Sequence, residues 1–120
     1  MEYLRTGRTV MLSPEDEKLV TLARSSRVRN HSERGAAVRD LDGRTYVASS
    51  VTLPSLEIAA LDLAVAMAIS SGATGLEAGA VVSTVDGAIV DLSTVRELAG
   101  NDVPVYVADH EGTIVSVRAS

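Results

Sequence analysis

The sequence predicts an α/β domain in three layers, α-β-α, built on a mixed five-stranded sheet with elements in the order α-β-β-α-β-α-β-β. Three observations carry this. Asp42-Gly43 separates two β-prone runs, which signals a hairpin. Helix-start chemistry recurs at Ser13-Pro14, Ser55 and Ser93, between apolar runs of strand length. Only Asp109-His110-Glu111-Gly112 separates the last two strands, too few residues for a parallel crossover, so that pair is antiparallel.

The first helix starts at Ser13-Pro14-Glu15-Asp16. Ser13 can accept from an orphan backbone N–H, Pro14 lacks a donor no helix would use there, and the acids suit the positive helix end. Leu19, Leu22 and Ala23 follow at helical spacing, which takes the helix to about Arg27 and leaves residues 1–12 as a loose arm before a single domain of residues 13–120. Strands are expected over Gly35–Arg39 and Arg44–Ala48, then a second helix from Ser55 to about Ser71, stopped by Gly72. Within it, Ile58–Ile69 is apolar at eleven of twelve positions, so this helix is expected to bury more than one side. Gly79–Ser83 is the third strand, Thr94–Ala99 the third helix under a Ser93 cap, and Val103–Ala108 and Thr113–Val117 the last strands. Helical crossovers are expected to make the first, third and fourth strands mutually parallel.

Composition narrows the chemistry. The 120 residues include no cysteine, so a disulfide, a thiolate nucleophile, an iron–sulfur site and a cysteine-bound zinc are all excluded, and two histidines limit imidazole ligation. The net charge of −5 argues against a globally basic nucleic-acid binder. Charge is nevertheless uneven: residues 1–44 hold nine of the eleven basic residues, and Arg24, Arg27, Arg29 and Arg34 crowd around His31. That patch reads either as a solvated helix end or as a contact for an anion or RNA. The N-terminal segment carries Glu2, Arg5 and Arg8 instead of a signal-peptide core, and the longest apolar run is far below the roughly 20 residues a membrane helix needs. A cytoplasmic protein is expected.

Several stretches resemble the small nucleoside-acting cytidine deaminases. Gly35-Ala36-Ala37-Val38 with Asp42-Gly43-Arg44-Thr45-Tyr46 is similar to that family's V-G-A-A-V…D-G-x-x-Y hairpin. Ile69-Ser70-Ser71-Gly72 resembles its A-V-S-E-G helix ending, Ala80-Val81-Val82-Ser83…Asp86-Gly87 its third strand, and Val103-Pro104-Val105-Tyr106…Gly112 its final hairpin. The resemblance covers about residues 13–117 and implies the deaminase fold. In such a family a cysteine- or histidine-held zinc activates water and a glutamate shuttles the proton. The motif D-G-x-x-x-P-C-x-x-C-R aligns with Asp86–Arg96, so Leu92 and Val95 take the cysteine positions and Arg96 the closing arginine. The C/H-A-E motif falls on Leu61-Asp62-Leu63 in one register and on Ala59-Ala60-Leu61 in the other, with no ligand or glutamate in place in either. The ribose-reading N-x-E becomes Ser50-Val51-Thr52.

The resemblance therefore implies a catalytically inactive member of the family, not an enzyme, with no metal and no cofactor. It would act as a structural or interaction protein that forms a homo-oligomer, a dimer or tetramer, through the apolar second helix. Two alternatives come from other classes: a module binding a nucleoside or small ligand through Ser50, Thr52, Glu57 and Asp62, and an enzyme with metal-free acid/base chemistry on Glu57 and Asp62. The plain reading of those two carboxylates is exposure in a first helical turn and at a helix edge. Asp109-His110-Glu111 reads as a loop tip, since three consecutive residues in a tight turn point apart.

Overall fold

The computed structural model describes residues 2–3, 9–10, 12–87 and 89–120. Strands β1 (Glu2–Tyr3) and β2 (Thr9–Val10) pair antiparallel where a loose arm was expected; residues 1, 4–8 and 11 of that arm lie outside the described residues. Helix α1 (Pro14–Asn30) begins as its sequence dictates: the Ser13 Oγ accepts from the Asp16 N–H at 3.1 Å and Pro14 takes the first turn. It runs three residues past the expected Arg27 and ends on His31, which adopts the left-handed conformation at φ 52°.

Strands β3 (Arg34–Asp40) and β4 (Thr45–Ser49) form the expected hairpin. Asp40 fastens its turn: one carboxylate oxygen accepts from the Asp42 and Arg44 N–H groups, the other from the Tyr46 hydroxyl. Burial pushes this carboxyl upward, but those donated bonds, led by Arg44, prevail and hold it below its ordinary range.

Residues 51–58 depart from expectation. They form a second hairpin, β5 (Val51–Leu53) with β6 (Leu56–Ile58), so Ser55 sits in a turn and caps nothing. Val51-Thr52-Leu53 and Leu56-Glu57-Ile58 flank the turn residues Pro54-Ser55 and carry β-branched Val51, Thr52 and Ile58, and the two runs pair with each other. Helix α2 (Ala60–Ser70) therefore starts four residues late, with Ala59 instead of Ser55 at the cap position and without a side-chain cap.

Strand β7 (Leu76–Ser83), helix α3 (Ser93–Ala99) and strands β8 (Pro104–Ala108) and β9 (Ile114–Ala119) complete the chain. Asp91, rather than Ser93, does the capping work at α3: its Oδ1 accepts from the Ser93 N–H at 2.9 Å and the Ser93 hydroxyl at 2.6 Å. These bonds, the hydroxyl's first, hold the Asp91 carboxyl below its usual value.

The main sheet has the order β4-β3-β7-β8-β9. The expected parallel run of three strands is corrected: β3 and β7 are antiparallel, and only β7 and β8 are parallel. The reason is topological. The crossover through α2 leaves from the β4 side of the hairpin, so β7 follows the direction of β4 and opposes β3. The three layers are as expected. Leu19, Val20 and Ala23 of α1 cover Ala37, Ala80, Val82 and Tyr106 on one sheet face. Leu61, Ala64, Val65, Leu92 and Val95 cover Ala36, Val38, Val81, Val105 and Val107 on the other. Alternate strand residues thus serve opposite cores, the period of two expected of strands. Among the described residues, no helix is long and apolar enough to cross a membrane.

Candidate functional site

Two places compete for the site, and the sequence-derived residues divide between them. The first is the junction of α2 and α3. Leu61 belongs to both registers of the C/H-A-E motif; it is buried in one apolar cluster with Leu92 and Val95, and Leu63 packs against that cluster. Asp62 lies beside them, half-buried, and its Oδ1 accepts from the Thr94 hydroxyl at 2.8 Å, which ties the start of α2 to α3. Asp62 also borders a surface groove of about 300 Å³ with Val65, Ile69, Thr94 and Leu98. Arg96 is exposed, near enough to Asp91 to favour that carboxylate.

The second place is a polar pocket of about 510 Å³. One wall is the end of α1 and the entry to β3, including His31, Ser32 and Arg34; the other is the exit of β4 and the β5–β6 hairpin, including Ser50, Thr52 and Glu57. Hairpin register brings the walls together. Gly35 pairs with Ser49, and the Ser50 N–H donates to the Arg34 carbonyl at 3.1 Å. Three of the four ligand candidates, Ser50, Thr52 and Glu57, thus share one pocket, while Asp62 does not. Glu57 and Asp62, weighed as an alternative acid/base pair, line different cavities.

The basic patch is likewise dispersed. Arg24 donates through Nε to the His110 carbonyl at 3.2 Å, and Arg27 through Nη1 to the Ser32 carbonyl at 3.4 Å. Arg29 is exposed in the last turn of α1, and Arg34 donates through Nη1 to the Ile89 carbonyl at 3.1 Å. Only Arg34 of the four lines the pocket. The Asp109–Glu111 tip is a turn: Asp109 Oδ1 accepts from the Glu111 and Thr113 N–H groups. Sequence reasoning did not foresee the wall built from His31, Ser32 and Arg34. Counting outward from the Asp42-Gly43 turn would have placed Arg34 opposite Ser50.

With the geometry in place, a family model described as cytidine deaminase-like matches residues 12–112. The chain belongs to that family. Its fold is similar to that of cytidine deaminase from Burkholderia pseudomallei, at TM-score 0.71 and 22% identity over 91% of this chain and 92% of the other. It is also similar to the Mycobacterium leprae cytidine deaminase, at 0.68 and 17% over 89% and 94%, and to that of Mycobacterium tuberculosis, at 0.64 and 20% over 86% and 90%. No curated protein matches it.

This membership corrects one expectation. The sequence-based reading that the chain is not an enzyme is overturned by the family match, since the solved neighbours sharing this cytidine deaminase-like fold are cytidine deaminases. The family's zinc, however, does not fit the residues present. Leu92 and Val95 carry no lone pair to offer a metal, and among the described residues no group of three His, Cys, Asp or Glu side chains could hold one.

Proposed function

We propose that this member of the cytidine deaminase-like family recognises a nucleoside in the pocket between α1 and the β5–β6 hairpin. One observation supports the reading above others: Ser50, Thr52 and Glu57 line a single pocket of about 510 Å³, inside the range of roughly 300–1,000 Å³ usual for small-ligand sites. Ser50 and Thr52 stand where the family resemblance puts the sugar-reading residues. Two hydroxyls, each able to donate and accept, together with an acceptor carboxylate, match the hydroxyls of a ribose or the exocyclic amine of a cytosine. With no phenylalanine or tryptophan in the chain, base stacking contributes little, and polar recognition bears the specificity.

The protein assembles with copies of itself through α2 in this reading. Met67 and Ile69 are 40% and 53% exposed on that helix, next to the apolar groove at Val65 and Leu98.

Titration of isotope-labelled protein with cytidine tests the site. Amide shifts are expected at Ser50, Thr52, Glu57 and Arg34. Shifts confined to the Asp62–Thr94 groove, or none at millimolar cytidine, would defeat the assignment.

A further inference from the structure

Helix α1 ends on a residue its backbone does not favour. The Ser32 N–H donates to the Arg27 carbonyl at 3.1 Å and the His31 N–H to the Val28 carbonyl at 3.3 Å, the paired bonds of a helix end that turns through a left-handed residue. Glycine is the usual occupant of that position, and this chain places one after α2, Gly72 at φ 95°, and one after α3, Gly100 at φ 79°. After α1 the residue at φ 52° is His31, whose Cβ makes the conformation costlier than it is for glycine.

The side chain placed there is uncommitted. On the same wall of the polar pocket, Asn30 Nδ2 donates to the Ser26 carbonyl at 3.0 Å, the Ser32 hydroxyl to the Arg34 carbonyl at 2.9 Å, and Arg34 Nη1 to the Ile89 carbonyl at 3.1 Å. The His31 imidazole is exposed at the pocket and makes no hydrogen bond or ion pair with a described residue. The facing wall carries Glu57, whose ionised carboxylate only accepts. An acceptor on one wall and an N–H donor on the other match the edge of cytosine, an amine beside a ring nitrogen and a carbonyl. Uracil reverses the first two, with a carbonyl in place of the amine and an N–H in place of the lone pair.

We infer that His31 is the residue that reads the base, its imidazole donating to the acceptor edge of a cytosine whose amine is held by Glu57. The inference rests on the nucleoside reading above and adds the residue that sets the choice of base. A neutral imidazole presents a donor or an acceptor and so accommodates uracil in part, whereas a protonated one only donates. The charged groups around it are Arg27 and Arg29 in the last turn of α1, Glu33 and Arg34 at the entry to β3, and Glu57 on the β5–β6 hairpin. Discrimination against uridine therefore sharpens as the pH falls.

Calorimetric titration of the full chain with cytidine and with uridine, at about pH 8 and about pH 5.5, tests it. Wild type prefers cytidine, by a wider margin at the lower pH. His31→Gly keeps or raises the melting temperature, because glycine is at ease in the left-handed turn, yet binds cytidine about tenfold more weakly and with a cytidine-to-uridine ratio that no longer changes with pH. His31→Asn, which suits the same turn and keeps an amide donor, restores part of the affinity and none of the pH dependence. Cytidine bound as well by His31→Gly as by wild type, or a wild-type preference that does not change with pH, overturns the role of His31 and leaves nucleoside recognition standing. No binding of either nucleoside by the wild type overturns both.

Discussion

Leu92 is 4% exposed and shares one apolar cluster with Leu61 and Val95. Truncation there leaves a cavity that neighbours on two helices cannot fill, so Leu92→Ala should cost about 2–5 kcal/mol in a denaturant titration. A loss well below that range would mean that the α2–α3 junction is wet. On the opposite sheet face, the Tyr106 hydroxyl donates to Asp16 Oδ2 at 2.6 Å. Burial, reinforced by that bond, pushes its phenol up to about 12. A group whose folded value is raised contributes stability that is complete below its unfolded value, about 10, and is lost as pH rises towards 12. Comparing wild type with Tyr106→Phe by ultraviolet titration and denaturant melts should therefore show the two diverging in pH dependence only above pH ~10. A tyrosinate signal from Tyr106 well below that pH would contradict the Asp16 contact.

At the scale of elements, α1 packs closely on β3 at Gly35. A Cβ placed on Gly35 would collide with the Ala23 carbonyl oxygen, so any side chain forces the helix off the sheet. Gly35→Ala should destabilise by at least ~1–3 kcal/mol by the same denaturant assay, and a neutral result would mean that α1 sits higher than described. Elements bounded by strong local chemistry were readable from the sequence: the Ser13-Pro14 start of α1, the Asp42-Gly43 hairpin and the final antiparallel pair each follow from a few adjacent residues. The β5–β6 hairpin was not, because Pro54-Ser55 suits a helix start as well as a turn. What decides between them is that Val51–Leu53 and Leu56–Ile58 can pair, a relation no single residue displays. The direction of β7 was misjudged for a related reason, since it depends on which hairpin strand feeds the crossover. In the proposed site, Ser50, Thr52 and Glu57 were named from local sequence and family likeness, but that they share one pocket was not legible there. The contribution of Arg34 depends on hairpin register, and the separation of Glu57 from Asp62 on the late start of α2.

Over the whole molecule, two cores on either side of one sheet leave the outer face of α2 only partly covered, with Met67 and Ile69 exposed. Sedimentation velocity at micromolar concentration should show a dimer or larger, reduced towards monomer by Ile69→Glu; a strict monomer in the wild type would remove α2 as an association face. The same architecture sets the polar pocket at the far end of α1, where the β3–β4 register and the β5–β6 hairpin close it. Recognition there is the central claim, and its most direct test is calorimetric titration of wild type and Glu57→Gln with cytidine. Saturable binding at one site per chain, weakened about tenfold or more by Glu57→Gln with melting temperature unchanged, is the predicted result. Cytidine binding that Glu57→Gln leaves intact, or no binding by the wild type, would contradict it.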